Sequence, residues 1–156
     1  MRYYPLFLDL HGRHVLVVGA GPVALRKCRA LVDAGAKVTV VSPQALPEFE
    51  DLGVTLIHRE FRAYDVQAQT LVFAATDQRA VNAEVKRCAD AQAIPVNVAD
   101  SPEECTFVVP ARVERGNLQI AISTSGEDPR LTKKLRIQLE ALLDQAVNDQ
   151  AAKGEL

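Results

Sequence analysis

Cysteine is scarce, three in 156 residues, and Cys28, Cys88 and Cys105 include no close pair. An odd number, two of them inside helical patterns, favours buried thiols over a disulfide framework and fits a reducing compartment. The three histidines, His11, His14 and His58, build no CxxC, HxxH or HExxH spacing, so no preformed metal site is expected. No apolar run approaches the roughly 20 residues of a membrane helix. The opening stretch, MRYYPLFLDLHGR, lacks the long apolar segment and small-residue cleavage site of a secretory signal, which makes the cytoplasm the expected compartment. An excess of one charge is missing too. Eighteen Lys and Arg against 20 Asp and Glu leave a net charge of −2, and that gives no reason to expect nucleic acid as a partner. Repeats, low-complexity tracts and long linkers are absent. What is present is the composition of a soluble globular chain, 48% hydrophobic and 24% charged, long enough to bury a core.

Val15–Val18 is a continuous apolar run, the pattern of a parallel strand covered on both faces. Val23, Leu31 and Val32 follow on helical spacing, and Asp33-Ala34-Gly35 supplies a stop, with Gly35 suited to a left-handed cap. Further strands are expected at Lys37–Val41, near Val54–His58, at Leu71–Thr76 and at Ile94–Asp100. A helix opened by an acidic cap is expected over Asp77–Gln92. Strands alternating with helices at this interval predict an α/β protein on a doubly wound, Rossmann-like parallel sheet. The pattern then changes. Two strand-like runs flank Arg115-Gly116-Asn117, which is good hairpin chemistry. A last helix follows, with Asp128 as cap, Pro129 in the first turn, and apolar positions at Leu131, Leu135, Leu139 and Leu142 or Leu143. The expected division is a nucleotide-binding domain, 1–112, and a small hairpin-plus-helix region, 113–156. Apolar edges on the latter suit a two-fold partner, hence a homodimer.

Gly19-Ala20-Gly21-Pro22-Val23-Ala24 fits G-x-G-x-x-A and stands directly between a strand and a helix. Gly19 permits the tight turn, Gly21 lets the backbone approach a pyrophosphate, and Ala24 lets the helix pack closely; the helix N-terminus offers free N–H groups. A glycine turn kept only for packing is the blander alternative, and a second strand arriving on schedule favours the dinucleotide. About 20 residues after Gly19, an Asp or Glu that would hold a ribose is expected. Thr39-Val40-Val41-Ser42-Pro43 stands there instead. Ser42 can hydrogen-bond a ribose without strongly attracting or repelling a 2′-phosphate, and no Arg follows to grip one, so these residues lean towards NAD.

Ligands of such sheets bind outside the carboxyl ends of the strands, which brings Thr76, Asp77, Asn97 and Asp100 forward. Thr76 and Asp77 suit a helix cap and can also line the nicotinamide side. Asp100 opens no obvious helix, and a carboxylate without a capping duty at that edge is a candidate for proton transfer. Ser123, Thr124 and Ser125 precede the last helix; such hydroxyls either cap and turn the chain or bind a carboxylate. Arg26, Lys27, Arg130, Lys133, Lys134 and Arg136 read individually as solvated helix faces and collectively suit an acidic small molecule.

Four segments carry a resemblance: PLFLDLHGRHVLVVGAGPVALRKCRALVDAGAKVTVVSP, FAATDQRAVNAEV, PVNVAD with CTFVVPA, and LQIAISTSGEDPRL. In this order they resemble the precorrin-2 dehydrogenase family, the N-terminal modules of siroheme synthases, some of which are also sirohydrochlorin ferrochelatases. The likeness runs from about Pro5 to the final helix. It implies NAD-dependent oxidation of precorrin-2 to sirohydrochlorin by a homodimer built through the region after the nucleotide fold. By motif match it implies that Asp100 is the essential acidic residue and that Gly21, Pro22 and Val23, with Ser42, Pro43 and Gln44, contact NAD. Thr124 matches a substrate-side position that carries a hydroxyl. The resemblance also implies that a missing ribose carboxylate is compatible with NAD. A tetrapyrrole rich in carboxylates suits Arg and Lys at a cleft rim, with Arg26, Lys27 and the Ser123–Ser125 hydroxyls as substrate-binding candidates. With no His/Cys cage, any inserted metal would be held mainly by the tetrapyrrole nitrogens. Relatives continue into a longer helical tail near the cleft, whereas this sequence runs to QAAKGEL. Three other readings stay open: a non-catalytic NAD- or tetrapyrrole-binding module, a chelatase with little redox activity, and a dehydrogenase of small alcohols. The lack of a Tyr-x-x-x-Lys pair and of an evident catalytic His argues against the last.

Overall fold

A computed structural model describes residues 3–153. The chain separates into two units: Leu6–Val108, and Val109–Leu156 with Met1–Pro5. The first contains five parallel strands, β1 (His14–Val18), β2 (Lys37–Val41), β3 (Thr55–Ile57), β4 (Leu71–Ala74) and β5 (Val96–Val98), in the order β3-β2-β1-β4-β5. Two helices, α1 (Pro22–Asp33) and α2 (Arg79–Asp90), cover opposite faces. Strand order reverses between β1 and β4, and this reversal opens a crevice at their carboxyl ends.

The valine-rich runs reflect burial on both faces. Val15, Val17, Val38, Val40 and Phe73 pack with Ala24, Leu25, Cys28 and Leu31 of α1. Their alternates Leu16, Val18, Val41, Val72 and Ala74 pack with Val85, Cys88 and Ala89 of α2. A one-residue slip of any strand would exchange the two sets, so side-chain packing specifies the register. Between β2 and β3 there is no α-helix; a short turn at Pro47–Phe49 lowers the buried Phe49 onto the α1 face instead.

Element ends depart from expectation for local reasons. Helix α1 stops as expected: Gly35 takes φ 75, its N–H donates to the Val32 carbonyl (2.8 Å), and that of Ala36 donates to Leu31 (3.0 Å). Helix α2 begins at Arg79, with Gln78 at the N-cap and no side-chain cap bond, so the acidic cap expected of Asp77 is not made. Asp77 stands exposed, one residue too early to reach the first turn. Strand β5 is shorter than Ile94–Asp100 at both ends: the Ile94 N–H donates back to the Ala89 carbonyl of α2 (3.0 Å), Pro95 has no N–H to give, and Ala99 and Asp100 form a turn. Thr106 closes the free edge of β5: its hydroxyl accepts from the Val96 N–H (2.7 Å) and its N–H donates to the Val96 carbonyl (2.9 Å).

In the second unit, β6 (Ala111–Arg115) and β7 (Leu118–Ile122) pair antiparallel around Gly116-Asn117, with Gly116 at φ 55. Helix α3 (Pro129–Lys153) starts where the Asp128 carboxylate accepts from the Leu131 N–H at 2.8 Å, the expected cap. Arg115 of β6 pairs with Asp144 of α3 at 2.7 Å, and Val113 is buried. Leu139 and Leu143 are half-buried, while Leu131, Leu135, Ile137 and Leu142 remain exposed. Among the described residues no helix is long and apolar enough to cross a membrane.

Candidate active site

The turn from β1 into α1 is shaped by two glycines with different duties. Gly19 has φ 102, and a Cβ there would lie 2.5 Å from the Ala75 carbonyl oxygen; the turn presses directly on the chain leaving β4. Gly21 caps α1 at φ −89, ψ −172, and a Cβ there would meet nothing within 4 Å. The first helical bond runs from the Leu25 N–H to the Gly21 carbonyl (2.9 Å), which leaves the N–H groups of Val23 and Ala24 without helical acceptors. No acidic residue stands in the first turn and no side chain caps it. Open space, unpaired N–H groups and a positive helix end fit a pyrophosphate, so these residues suit a dinucleotide. Sequence periodicity placed Val23 with the core, but it is 42% exposed at the mouth of the turn, whereas Ala24 is fully buried against the sheet.

Beyond β2, the Ser42 hydroxyl donates to the Gln44 carbonyl at 2.6 Å, and its N–H to the Ile57 carbonyl at 3.1 Å. Ser42 and Pro43 border a cleft of about 320 Å³ that also reaches Phe61, Thr76 and Val81. Glu60 and Glu84 line it, and no Lys or Arg does. Glu84 is paired with Arg87 along α2 (2.6 and 2.8 Å), so its charge is largely balanced. The motif could not reveal these two carboxylates, because Glu60 follows β3 and Glu84 sits on α2.

At the carboxyl ends of β4 and β5, the fully buried Asn82 joins Thr76 to Asp100. Its side-chain oxygen accepts from the Thr76 N–H (3.1 Å) and hydroxyl (2.8 Å), while its nitrogen donates to the Thr76 carbonyl (3.0 Å) and to Asp100 Oδ1 (2.9 Å). Arg79 approaches the same Oδ1 at 3.6 Å and also binds Glu104. Sequence reasoning missed Asn82. The signal was there, since Asn82, Val85 and Ala89 share the inward face of α2, and a polar residue on a buried stripe requires a partner.

Asn97 and Lys27 meet each other on the α1 face of the sheet. Lys27 Nζ donates to Asn97 Oδ1 at 2.8 Å and sits 5.1 Å from the centroid of the Phe73 ring, on the α1 face. The Asn97 amide donates to the Phe107 carbonyl at 3.1 Å. Desolvation chiefly, with Arg26 beside it, pushes the Lys27 pKa below its ordinary value. Lys27 is half-buried while its neighbour Arg26 stays exposed, and Asn97 is buried on β5. In the second unit, the Ser125 N–H donates to Ser123 Oγ (3.0 Å), and Thr124 Oγ1 accepts from the Asp128 N–H (3.1 Å) and meets Thr132 Oγ1 (3.1 Å). These three hydroxyl residues build the turn into α3.

Comparison with known proteins gives two family matches. Residues 6–111 match the family model described as "Putative NAD(P)-binding", and residues 115–142 match "Sirohaem biosynthesis protein central". The siroheme synthase of Tolumonas auensis is 48% identical over 145 residues, covering 92% of this chain and 31% of that protein. That of Pseudomonas paraeruginosa is 46% identical over 144 residues, covering 90% and 31%. The chain therefore spans about a third of the length of these curated relatives. Among solved structures, SirC, a precorrin-2 dehydrogenase, is 33% identical with a TM-score of 0.77, covering 89% of this chain and 70% of its own.

Proposed function

This chain belongs to the precorrin-2 dehydrogenase family, and from that premise we propose that it oxidises precorrin-2 to sirohydrochlorin with NAD, a step towards siroheme. The observation that carries this reading is Asp100, a partly exposed carboxylate at the carboxyl edge of the same sheet whose glycine turn offers unpaired N–H groups. Gly21, Pro22 and Val23 receive the pyrophosphate. Ser42, Pro43 and Gln44 border the adenosine ribose, and Thr76 and Asp77 face the nicotinamide side. Bound NAD supplies the hydride acceptor. Arg26, exposed on α1, meets substrate carboxylates by charge-assisted hydrogen bonds. Within the second unit, Ser123, Thr124 and Ser125 offer donors of the same use. Asp100 takes the proton that the macrocycle loses as its hydride leaves, a role worth roughly 10²–10⁴ in rate.

Anaerobic turnover of precorrin-2 with NAD, followed by absorbance, tests the assignment. The wild-type chain should form sirohydrochlorin and NADH together, and Asp100→Ala should fall by about two orders of magnitude or more. Undiminished turnover in the variant removes Asp100 from the chemistry. Tetrapyrrole binding without NADH formation in the wild type replaces the enzyme with a binding module. The exposed leucines of α3 support a homodimer, and three free thiols support a reducing compartment, the cytoplasm.

A further inference from the structure

We infer that Asn82 is a positioning residue for Asp100: it grips one oxygen of the carboxylate and leaves the other to accept the proton. The inference rests on the assignment of Asp100 as the base. A primary amide has two N–H groups and an oxygen with two lone pairs. Asn82 spends all four, three on Thr76 in the chain leaving β4 and one on Asp100 beyond β5. Buried completely, it has no water to exchange for any of them. Asp100 therefore cannot drift from the β4 end without leaving a buried N–H unpaired.

The grip is one-sided. Asn82 and Arg79 both address Oδ1 of Asp100, and Oδ2 has no hydrogen-bond partner among the described residues. With an amide N–H and a guanidinium both directed at Oδ1, Oδ2 is the more basic and more open oxygen, and the O–H bond forms there. As a hydride passes from the macrocycle to the bound nicotinamide, the substrate's proton moves to Oδ2. The substrate loses two electrons and two hydrogens, the cofactor gains the hydride, and the carboxylate becomes a carboxylic acid until solvent reclaims the proton. The charged groups around Asp100 are Arg79 of α2 and, across Arg79, Glu104 and Glu103. Loss of the Asn82 donor frees the carboxylate to leave the position in which Oδ2 meets the substrate's proton, so the chemical step slows while NAD binding is left alone.

The test is kcat and KM for precorrin-2 in the full chain for wild type, Asn82→Ala and Asn82→Ser, with NAD affinity measured separately by equilibrium titration and folding checked by circular dichroism. Both substitutions are neutral, and neither side chain is long enough to hold Thr76 and Asp100 together; the serine hydroxyl keeps a polar group in the site should the alanine variant fail to fold. Both variants are expected to lose about ten- to a hundredfold in kcat, with KM for precorrin-2 and NAD affinity within about threefold of wild type. A folded variant with wild-type kcat overturns the positioning role. So does a loss of kcat matched by an equal loss of NAD affinity, which marks a purely structural residue. Turnover surviving in Asp100→Ala overturns instead the assignment of the base, whatever the Asn82 variants do.

Discussion

Replacing Gly19 by Ala drives a methyl group to 2.5 Å from the Ala75 carbonyl oxygen while holding an L-residue at φ 102. Neither partner is a flexible side chain, so the strain falls on the backbone of β1 and β4. We expect G19A to lose on the order of 2–3 kcal/mol, read as a lowered urea midpoint. Gly21→Ala should behave differently. Its methyl group enters open space, so the unfolding free energy from urea titration should fall by no more than about 1 kcal/mol, while NAD affinity collapses because the methyl stands where a pyrophosphate must approach. Equal loss of stability in both variants would reject this division of labour. Spacing singled out these glycines, and position at the strand ends brought Ser42 and Asp100 forward as candidates, because a dinucleotide turn and the strand ends recur at set distances. Asn82 was not legible that way. Its hydrogen bonds join elements far apart in the chain, such as Asp100, 18 positions further on.

Helix α1 and the strands beneath it set the chemistry of Cys28. This thiol faces the sheet with no exposed surface, and burial pushes its pKa from 9.0 up to about 12. Between those values the folded state holds a proton that the unfolded state has released. The contribution of Cys28 to stability is therefore full below pH 9 and is lost as the pH rises towards 12. The urea midpoint of wild type should fall more steeply from pH 8 to pH 10 than that of Cys28→Ala, after the cavity penalty common to both pH values is subtracted. Iodoacetamide at pH 8 should leave Cys28 unmodified until urea unfolds the chain, with peptide mass mapping as the check. At this scale the sequence was most legible where burial on two faces leaves unbroken apolar runs, as in β1 and β4. Ends were less so. Asp77 offered the right side chain for a cap one residue too early, and β5 lost Ile94 to a bond back to α2 and Ala99–Asp100 to a turn, neither of which an apolar count registers.

At the scale of the molecule, the exposed leucines of α3 need an occupant. Leu131, Leu135 and Leu142 fall within about 40° of one another around the helix, by the ~100° each residue advances, and all three are exposed. Apolar positions at this spacing form a stripe, and a stripe left in water by its own unit marks an association surface. A second copy is the economical occupant, because a two-fold axis lets one stripe cover its own image. Each leucine fully covered contributes about 1.5–3 kcal/mol, and in a two-fold interface every residue counts twice. A charge placed on the stripe is likewise buried twice. Leu135→Glu should shift the chain from dimer to monomer by light scattering at micromolar concentration, with helix content by circular dichroism unchanged. Leu131→Glu and Leu142→Glu should do the same. Ile137→Glu, on a different side of α3 by the same geometry, should have the smaller effect. A wild-type chain that scatters as a monomer, or a Leu135→Glu variant that remains dimeric, would assign the stripe to another partner and leave the two-fold proposal without its surface.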